Sequence, residues 1–185
     1  MEDGMLMVDT NATWTADQVI QNAPKLQAYG VKIIEEPLPF EDVDGYRKIA
    51  DAVPSLVIAG CETQQGLKNF QNLLKENQID ILQPDVGWAG GISEVKKIGA
   101  AALAANKKIS LHCFGSAVLF AASLQTAAAM SNTIAMESEE NPNPLKTDIL
   151  KTPLQTDAEM NFYVPDGPGL GIEVDWERIE KYIVK

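Results

Sequence analysis

Cysteine, histidine and long apolar runs are scarce in this sequence of 185 residues. Its two cysteines, Cys61 and Cys113, are too few for a disulfide scaffold, and both lie within apolar stretches that suit reduced, buried thiols. No stretch resembles a signal peptide, a transit peptide or a membrane span, because even the alanine-rich residues 117–130 include polar side chains. These features predict a protein of the cytoplasm.

Positive charge is also in short supply: 15 lysines and arginines stand against 26 acidic residues, which gives a formal net charge of −11. Nucleic acids and anionic membranes attract clustered Lys and Arg, and the sequence has no such cluster. Neither is therefore expected as a partner. The apolar share of 45% and the charged share of 22% are those of an ordinary globular protein with one sizeable core.

What the sequence does contain is a repeated unit in which a short apolar strand runs into a polar residue able to do chemistry. Six such residues follow one another at intervals of 23 to 27 residues: Asp9, Glu35, Glu62, Asp85, His112 and Glu137. This interval is the length of a strand, a loop and a crossover helix. We therefore expect an α/β fold, an incomplete TIM-type (β/α) barrel of about six parallel βα units. Since the strands are apolar at consecutive positions, all six are expected to be buried on both faces.

The pattern divides the chain in two. Residues 1–140 carry the repeats and are predicted to form the partial barrel, with helices that include residues 46–53, 64–77, 91–106 and 116–130. From Asn141 onward, prolines and polar residues predominate, and the run DGPGLG is typical of turns. Residues 141–185 are predicted to pack on the barrel as a C-terminal surface segment that ends in a short helix at 176–183.

Asp9, Glu35 and Glu62 end three consecutive strands, which would place their carboxylates roughly 4.8 Å apart across a sheet. Three anions this close repel one another by about 4 kcal/mol per pair at an effective dielectric constant of about 20. A divalent cation removes this repulsion, and oxygen ligands favour Mg²⁺, with Mn²⁺ as a substitute. The alternative is that each acid caps a helix or lies in a solvated loop. Strand alternation assigns Glu35 rather than Glu36 to the site and turns Cys61 away from it.

His112 is the single histidine, and it ends the strand next to the one that leads to Asp85. An aspartate that holds one ring nitrogen fixes the imidazole tautomer and raises its pKa, so the other nitrogen can act as a general acid or base. The pair is therefore predicted to be catalytic, and the alternative is a buried structural histidine. Cys113 is expected to face the helices and not to form a nucleophile pair with His112.

Two further residues are candidates, and each has an alternative interpretation. Glu137 ends the last strand and could hydrogen-bond a substrate carboxylate, or it could be the first residue of a solvated acidic run with Glu139 and Glu140. Asn11 lies two residues beyond Asp9, and its amide could donate to a substrate oxygen, although asparagine is common in turns.

Six motifs taken in order resemble the enolase superfamily, specifically its mandelate racemase-like branch: VDTN at 8–11, IEEP at 34–37, AGCE at 59–62, QPD at 83–85, GG at 90–91 and SLH at 110–112. The late run VPDGPGLGIEVD is similar to the C-terminal stretch of that branch. The resemblance implies that Asp9, Glu35 and Glu62 are Mg²⁺ ligands. It also implies that Asp85 and His112 form an acid/base dyad and that Glu137 is an acid that supports an enediolate.

The resemblance also implies a reaction. Members of this branch remove the proton next to a carboxylate and then dehydrate, racemise or cycloisomerise the product, which implies a Mg²⁺-dependent enzyme for a small carboxylate such as a sugar acid. Acid-sugar dehydratase is the favoured activity, because dehydration of polyhydroxy acids is common in the branch. A racemase or epimerase and a cycloisomerase are the alternatives. From another class, the chain could be a non-catalytic fragment that acts only by association with a partner.

The sequence departs from the family pattern at its start. Members carry an N-terminal capping domain and two earlier barrel strands, the second with a lysine motif that supplies a base, whereas EDGMLMVDT looks like the third strand. An open barrel leaves strand edges free to pair. We therefore expect a homo-oligomer or completion by an N-terminal part, and weak or no activity from the chain alone.

Overall fold

Six short strands form one parallel sheet in the computed structural model, which describes residues 5–184. The strands follow one another across the sheet in chain order, and every pairing is parallel. Their bounds are β1 Leu6–Asp9, β2 Val31–Glu35, β3 Val57–Gly60, β4 Ile81–Leu82, β5 Lys108–Leu111 and β6 Thr133–Met136. The sheet curls into a half-barrel, which confirms the predicted fold, and all six strands end at the same edge.

A helix follows each of the first five strands: α1 Ala16–Ala28, α2 Val43–Ala52, α3 Gly66–Glu76, α4 Ile92–Ala104 and α5 Ala117–Ala128. These positions agree with the predicted ones to within a few residues. The helix predicted at 46–53 begins earlier because Asp42 caps it, accepting a hydrogen bond from the backbone N–H of Gly45 at 2.9 Å. None of the helices among residues 5–184 is both long and apolar enough to span a bilayer.

The main core lies between the sheet and the helices. Its largest part joins the outer faces of β4 and β5 to α3 and α4 through residues such as Phe70, Leu82, Ile98, Ile109 and Leu111. A smaller cluster inside the curl of the sheet consists of Ile33, Ala59 and Ile81. Side chains therefore alternate along the strands between the helical layer and the barrel interior.

The two outer strands are not buried on both faces, and in this respect the prediction was wrong. Leu6 of β1 is 48% exposed and Ile134 of β6 is 47% exposed. Within residues 5–184, β1 pairs only with β2 and β6 pairs only with β5, so no neighbouring strand covers their outer edges. Apolar composition predicted burial, but burial also requires that the barrel be closed.

The C-terminal segment runs back over α5. Ile149 and Leu150 are buried against Ala117, and Leu150 forms an isolated antiparallel bridge with Val174. The predicted final helix is present as α7 Trp176–Ile179, which continues as a 3₁₀ turn at Glu180–Tyr182. A further short helix, α6 Pro144–Thr147, was not predicted; Asn143 caps it, with its side-chain oxygen accepting from the N–H of Leu145.

Candidate active site

A cavity of about 480 Å³ opens at the edge of the sheet where the strands end. Six of the seven residues predicted for the site line it, and two aromatic residues join them: Asp9, Asn11, Glu35, Glu62, His112 and Glu137, with Trp88 and Phe114. The seventh predicted residue, Asp85, is 1% exposed and lies directly behind His112. The parallel strands thus bring together side chains that are far apart in the sequence.

Asp85 and His112 form the predicted dyad. The Oδ2 atom of Asp85 lies 2.8 Å from Nδ1 of His112. The other carboxylate oxygen, Oδ1, accepts hydrogen bonds from the backbone N–H groups of Gly87 at 2.6 Å and Trp88 at 3.0 Å. With both oxygens bonded, the carboxylate is fixed, and it fixes the orientation of the imidazole in turn.

The second ring nitrogen of His112 faces two other carboxylates inside the cavity. Nε2 is 3.4 Å from Oε2 of Glu62 and 3.6 Å from Oε2 of Glu137. Burial lowers the pKa of His112, but the hydrogen bond to Asp85 and the negative charges of Glu62 and Glu137 outweigh it and raise the pKa to about 9. At neutral pH the imidazole therefore holds a proton that it can donate from Nε2.

The histidine pKa can be measured directly, since this chain has one histidine and hence one set of imidazole resonances. In metal-free protein we expect an NMR titration midpoint of about 9. Asp85→Asn is expected to lower that midpoint, because asparagine keeps an oxygen for the two backbone N–H groups but removes the charge beside Nδ1. Asp51→Asn, at an exposed position of α2, is the matched control and should leave the midpoint unchanged.

The raised pKa of His112 also determines the direction in which pH changes the stability of the fold. Because the pKa of His112 is higher in the folded protein than the unperturbed 6.5, its contribution to the free energy of unfolding is complete below pH 6.5. It is lost as the pH rises through about 9. Urea denaturation at pH 6 and pH 10 measures this loss, and a loss equally large in Asp85→Asn would contradict the assigned pairing.

Glu35 is the most deeply buried carboxylate of the cavity lining, at 8% exposure. Its Oε1 accepts a hydrogen bond of 2.9 Å from Nε2 of Gln83. Burial, followed by repulsion from Asp9, Glu62 and Glu137, raises the pKa of Glu35 to about 7, although the bond from Gln83 opposes the shift. Neighbouring carboxylates therefore contribute to this shift, after burial.

Asp9 and Asn11 interact with each other at the end of β1. The carboxylate of Asp9 accepts from the backbone N–H of Asn11 at 2.7 Å and from its side-chain Nδ2 at 3.3 Å. Asn11 thus orients Asp9 in this structure. Its predicted role as a donor to substrate stays a prediction.

Glu62 reaches the cavity by a break in strand alternation. Glu35 pairs in register with Ala59, which faces inward, so simple alternation would direct Cys61 inward and Glu62 outward. Instead, Gly60 and Cys61 have φ angles of +149° and +81°, in the left-handed half of conformational space. Cys61 consequently packs into the core beside the helices, as predicted, and Glu62 turns into the cavity.

Glu36 supports this bend from outside the cavity. Its Oε1 accepts from the backbone N–H of Cys61 at 3.2 Å, and burial raises the pKa of its carboxyl. A Cβ atom on Gly60 would stand 3.0 Å from Cγ of Glu36, so glycine is needed there both for the backbone angle and for space. Glu36 therefore positions the chain segment that carries Glu62.

The chemistry of the donor set fits a hard divalent cation. Asp9, Glu35 and Glu62 offer only oxygen, they line one cavity, and their mutual repulsion raises the pKa of Glu35. Within residues 5–184, no three His, Cys, Asp or Glu side chains are arranged as a metal cluster. In the arrangement described, Glu62 is paired with His112 and Asp9 with Asn11.

Three residues of the site escaped the sequence reasoning. Gln83 shares the inward face with Ile81 and Asp85, and a period of two from Asp85 would have placed it there. Trp88 and Phe114, each 56% exposed, follow the ends of β4 and β5 and form the mouth of the cavity. Their only signal was an aromatic residue shortly after a strand end.

The sequence profile of the family described as Enolase C-terminal domain-like matches residues 1–178. The chain belongs to this family. Its motifs and half-barrel therefore identify an enolase-superfamily chain of the mandelate racemase-like branch, whose members generally use Mg²⁺. This finding confirms the resemblance drawn from the ordered strand-end motifs.

Named relatives of this enolase-family chain include two sugar-acid enzymes. It is 34% identical to D-galactarolactone cycloisomerase of Agrobacterium fabrum, over 97% of this chain and 49% of the relative. It is 30% identical to arabinonate dehydratase of Saccharolobus solfataricus, over 100% of this chain and 48% of the relative. The chain thus spans about half the length of these relatives.

The fold is shared with solved structures of the same superfamily. The 3,6-anhydro-D-galactonate cycloisomerase from Zobellia galactanivorans superposes with a TM-score of 0.91 at 30% identity, covering 99% of this chain and 51% of that one. A TM-score of 0.91 over nearly the whole chain means that the open half-barrel follows the course of the barrel in that enzyme.

Proposed function

We propose that this chain forms the catalytic barrel portion of a Mg²⁺-dependent enzyme that removes the proton α to a carboxylate and dehydrates an acid sugar through an enediolate. One observation carries the proposal. Inside the cavity, Nε2 of His112 faces the carboxylates of Glu62 and Glu137, while Asp85 holds Nδ1 from behind. A protonated imidazole in that position is a general acid aimed at the place where a substrate would lie.

Dehydration needs such an acid. When a base takes the α-proton, the electron pair of the Cα–H bond forms the double bond of the enediolate. That pair then forms the Cα–Cβ double bond as the Cβ–O bond breaks, and His112 donates its Nε2 proton to the departing hydroxyl, which leaves as water. The resulting enol converts to the 2-keto-3-deoxy acid. By the family resemblance, the base belongs to a barrel strand other than β1–β6.

The remaining residues hold the reacting groups. Asp9, Glu35 and Glu62 would hold Mg²⁺, which when bound supplies positive charge to the substrate carboxylate as negative charge develops. Glu137, when its carboxyl carries a proton, would donate a hydrogen bond to the same group; its Oε2 accepts from the backbone N–H of Cys113 at 2.9 Å, which orients it.

Cycloisomerisation is the second candidate, because the relative at 34% identity bears that name. The same dyad would serve it, with His112 returning a proton to carbon instead of to a hydroxyl. The two reactions differ in mass balance: a dehydratase releases one water, whereas a cycloisomerase product has the mass of its substrate.

We also propose that the working protein contains further βα units that pair with β1 and β6. The chain covers 49% of the length of the D-galactarolactone cycloisomerase to which it is 34% identical. Its outer strands also expose apolar side chains. Such units would cover these edges and supply the missing base. We further infer a reducing compartment such as the cytoplasm, since Cys61 and Cys113 are free, buried thiols.

The test is deuterium incorporation at the α-carbon of hexonate and hexarate acids in heavy water, followed by NMR and mass spectrometry. It is run with Mg²⁺ and with a chelator, for the chain alone and for the chain combined with the remaining half of the Agrobacterium fabrum relative. We expect Mg²⁺-dependent exchange with the combined halves and loss of water from the best substrate. No exchange with any acid in either form would favour a non-catalytic fragment.

A further inference from the structure

We propose that Gln83 is a positioning residue that holds Glu35 ready for a divalent cation, an inference that rests on the proposed Mg²⁺ site. Gln83 follows β4 directly and is 3% exposed. Its Nε2 donates a hydrogen bond of 2.9 Å to Oε1 of Glu35, across 48 residues of sequence. Both partners are buried, so solvent does not compete for this bond.

The bond fixes the direction of the candidate ligand. An ionised carboxylate can accept hydrogen bonds but cannot donate them. The NH₂ end of the Gln83 amide must therefore face Glu35. When one oxygen of a planar carboxylate is held, the plane of the group and the direction of its second oxygen are held as well. Residues that hydrogen-bond metal ligands in this way orient them and strengthen metal binding.

The backbone of Gln83 is tied to the second part of the site. Its N–H donates to the carbonyl oxygen of Gly60 at 2.8 Å and approaches Sγ of Cys61 at 3.4 Å. These two residues form the bend that turns Glu62 into the cavity. Gln83 therefore connects the strand of one candidate ligand to the bend that precedes another.

The side chain of Gln83 lowers the stability of the fold in one respect. Its Oε1 is buried and has no hydrogen-bond partner among the described residues. A buried acceptor without a partner destabilises the folded state, and a leucine of similar size would avoid that penalty. Packing alone thus does not explain an amide at this position, whereas a bond to a metal ligand does.

The experiment is a titration of the 185-residue chain with Mn²⁺, followed by electron paramagnetic resonance. Gln83→Leu is expected to weaken Mn²⁺ binding by about 10- to 100-fold, the usual effect of removing such a partner of a ligand. It is also expected to broaden the spectrum of bound Mn²⁺, since Glu35 would no longer be held in one orientation. The variant removes the unpartnered Oε1 but also the buried bond to Glu35, so its thermal midpoint is measured as well. A midpoint far above the temperature of the titration shows that reduced affinity does not reflect unfolding.

Gln78→Leu is the matched control. Gln78 is also a buried glutamine with an unpartnered side-chain atom, Nε2, but it precedes β4 and so lies at the opposite edge of the sheet. Its replacement should leave Mn²⁺ affinity unchanged. Equal affinity in wild type and Gln83→Leu would overturn the role of Gln83 alone, whereas a wild-type chain that binds no Mn²⁺ would overturn the proposed metal site and this inference with it.

Discussion

Replacement of His112 by asparagine is expected to lower the rate of dehydration by about 10²- to 10⁴-fold, the usual contribution of a general acid or base. Asparagine keeps a polar side chain of similar reach toward Asp85, but it has no proton to give at neutral pH. The measurement is the rate at which the best acid of the panel loses water, with the barrel completed and Mg²⁺ present. Exchange of the α-proton, which depends on the base of another strand, should fall less.

The neighbouring thiol supplies the control for this loss. Cys113 is 2% exposed, and burial raises the pKa of its thiol to about 11, so it is neither accessible nor ionised at neutral pH. Cys113→Ala should therefore keep most of the dehydration rate. If His112→Asn and Cys113→Ala lost activity equally, the effect would come from disturbance of the strand end and not from proton transfer.

The half-barrel could be predicted because its cause is local. Each strand is a short apolar run, and the interval between strand ends leaves room for little besides one crossover helix. Helices α1, α2 and α5 also begin at a side-chain cap. Burial of the outer strands could not be predicted in this way, since it depends on which units stand beside β1 and β6. Apolar side chains are buried in β4, whereas apolar side chains of the same kind are exposed in β6.

The candidate site could be predicted where side chains follow the strand register and not where the backbone leaves it. Glu35 and Asp9 are register partners, so alternation placed both correctly. Glu62 was placed at the site for an incomplete reason, because register from Ala59 would turn it outward and only the left-handed backbone at Gly60 and Cys61 turns it back. Such a bend depends on space beside Glu36, which the sequence does not display.

Glu62 can pair with His112 or bind a cation together with Asp9 and Glu35, and these two interactions give it different roles. In the structure its carboxylate pairs with His112, yet it lines the same cavity as Asp9 and Glu35. Burial and neighbouring carboxylates raise its pKa, although the charge of His112 opposes the shift. A cation bound by the three carboxylates would compete with the imidazolium for Glu62, so metal binding and proton transfer at His112 are expected to be coupled.

Glu62→Gln is therefore expected to have two separate effects. The amide is a poorer ligand than a carboxylate, so Mn²⁺ affinity should fall on the order of 100-fold or more, beyond the loss expected for a residue that only orients a ligand. In metal-free protein the pKa of His112 should also fall below about 9, because one of the negative charges beside Nε2 is gone. Mn²⁺ titration and the NMR titration of His112 measure the two effects independently.

Glu177→Gln is the matched control, since Glu177 is an exposed acid on α7 of the C-terminal segment, outside the cavity lining. It removes the same charge and should change neither Mn²⁺ affinity nor the titration of His112. If Glu62→Gln shifted the histidine titration but kept full Mn²⁺ affinity, Glu62 would be an ion-pair partner of the dyad and not a metal ligand. Loss of both properties together would show that one carboxylate links the cation to the acid, which is what the coupled mechanism requires.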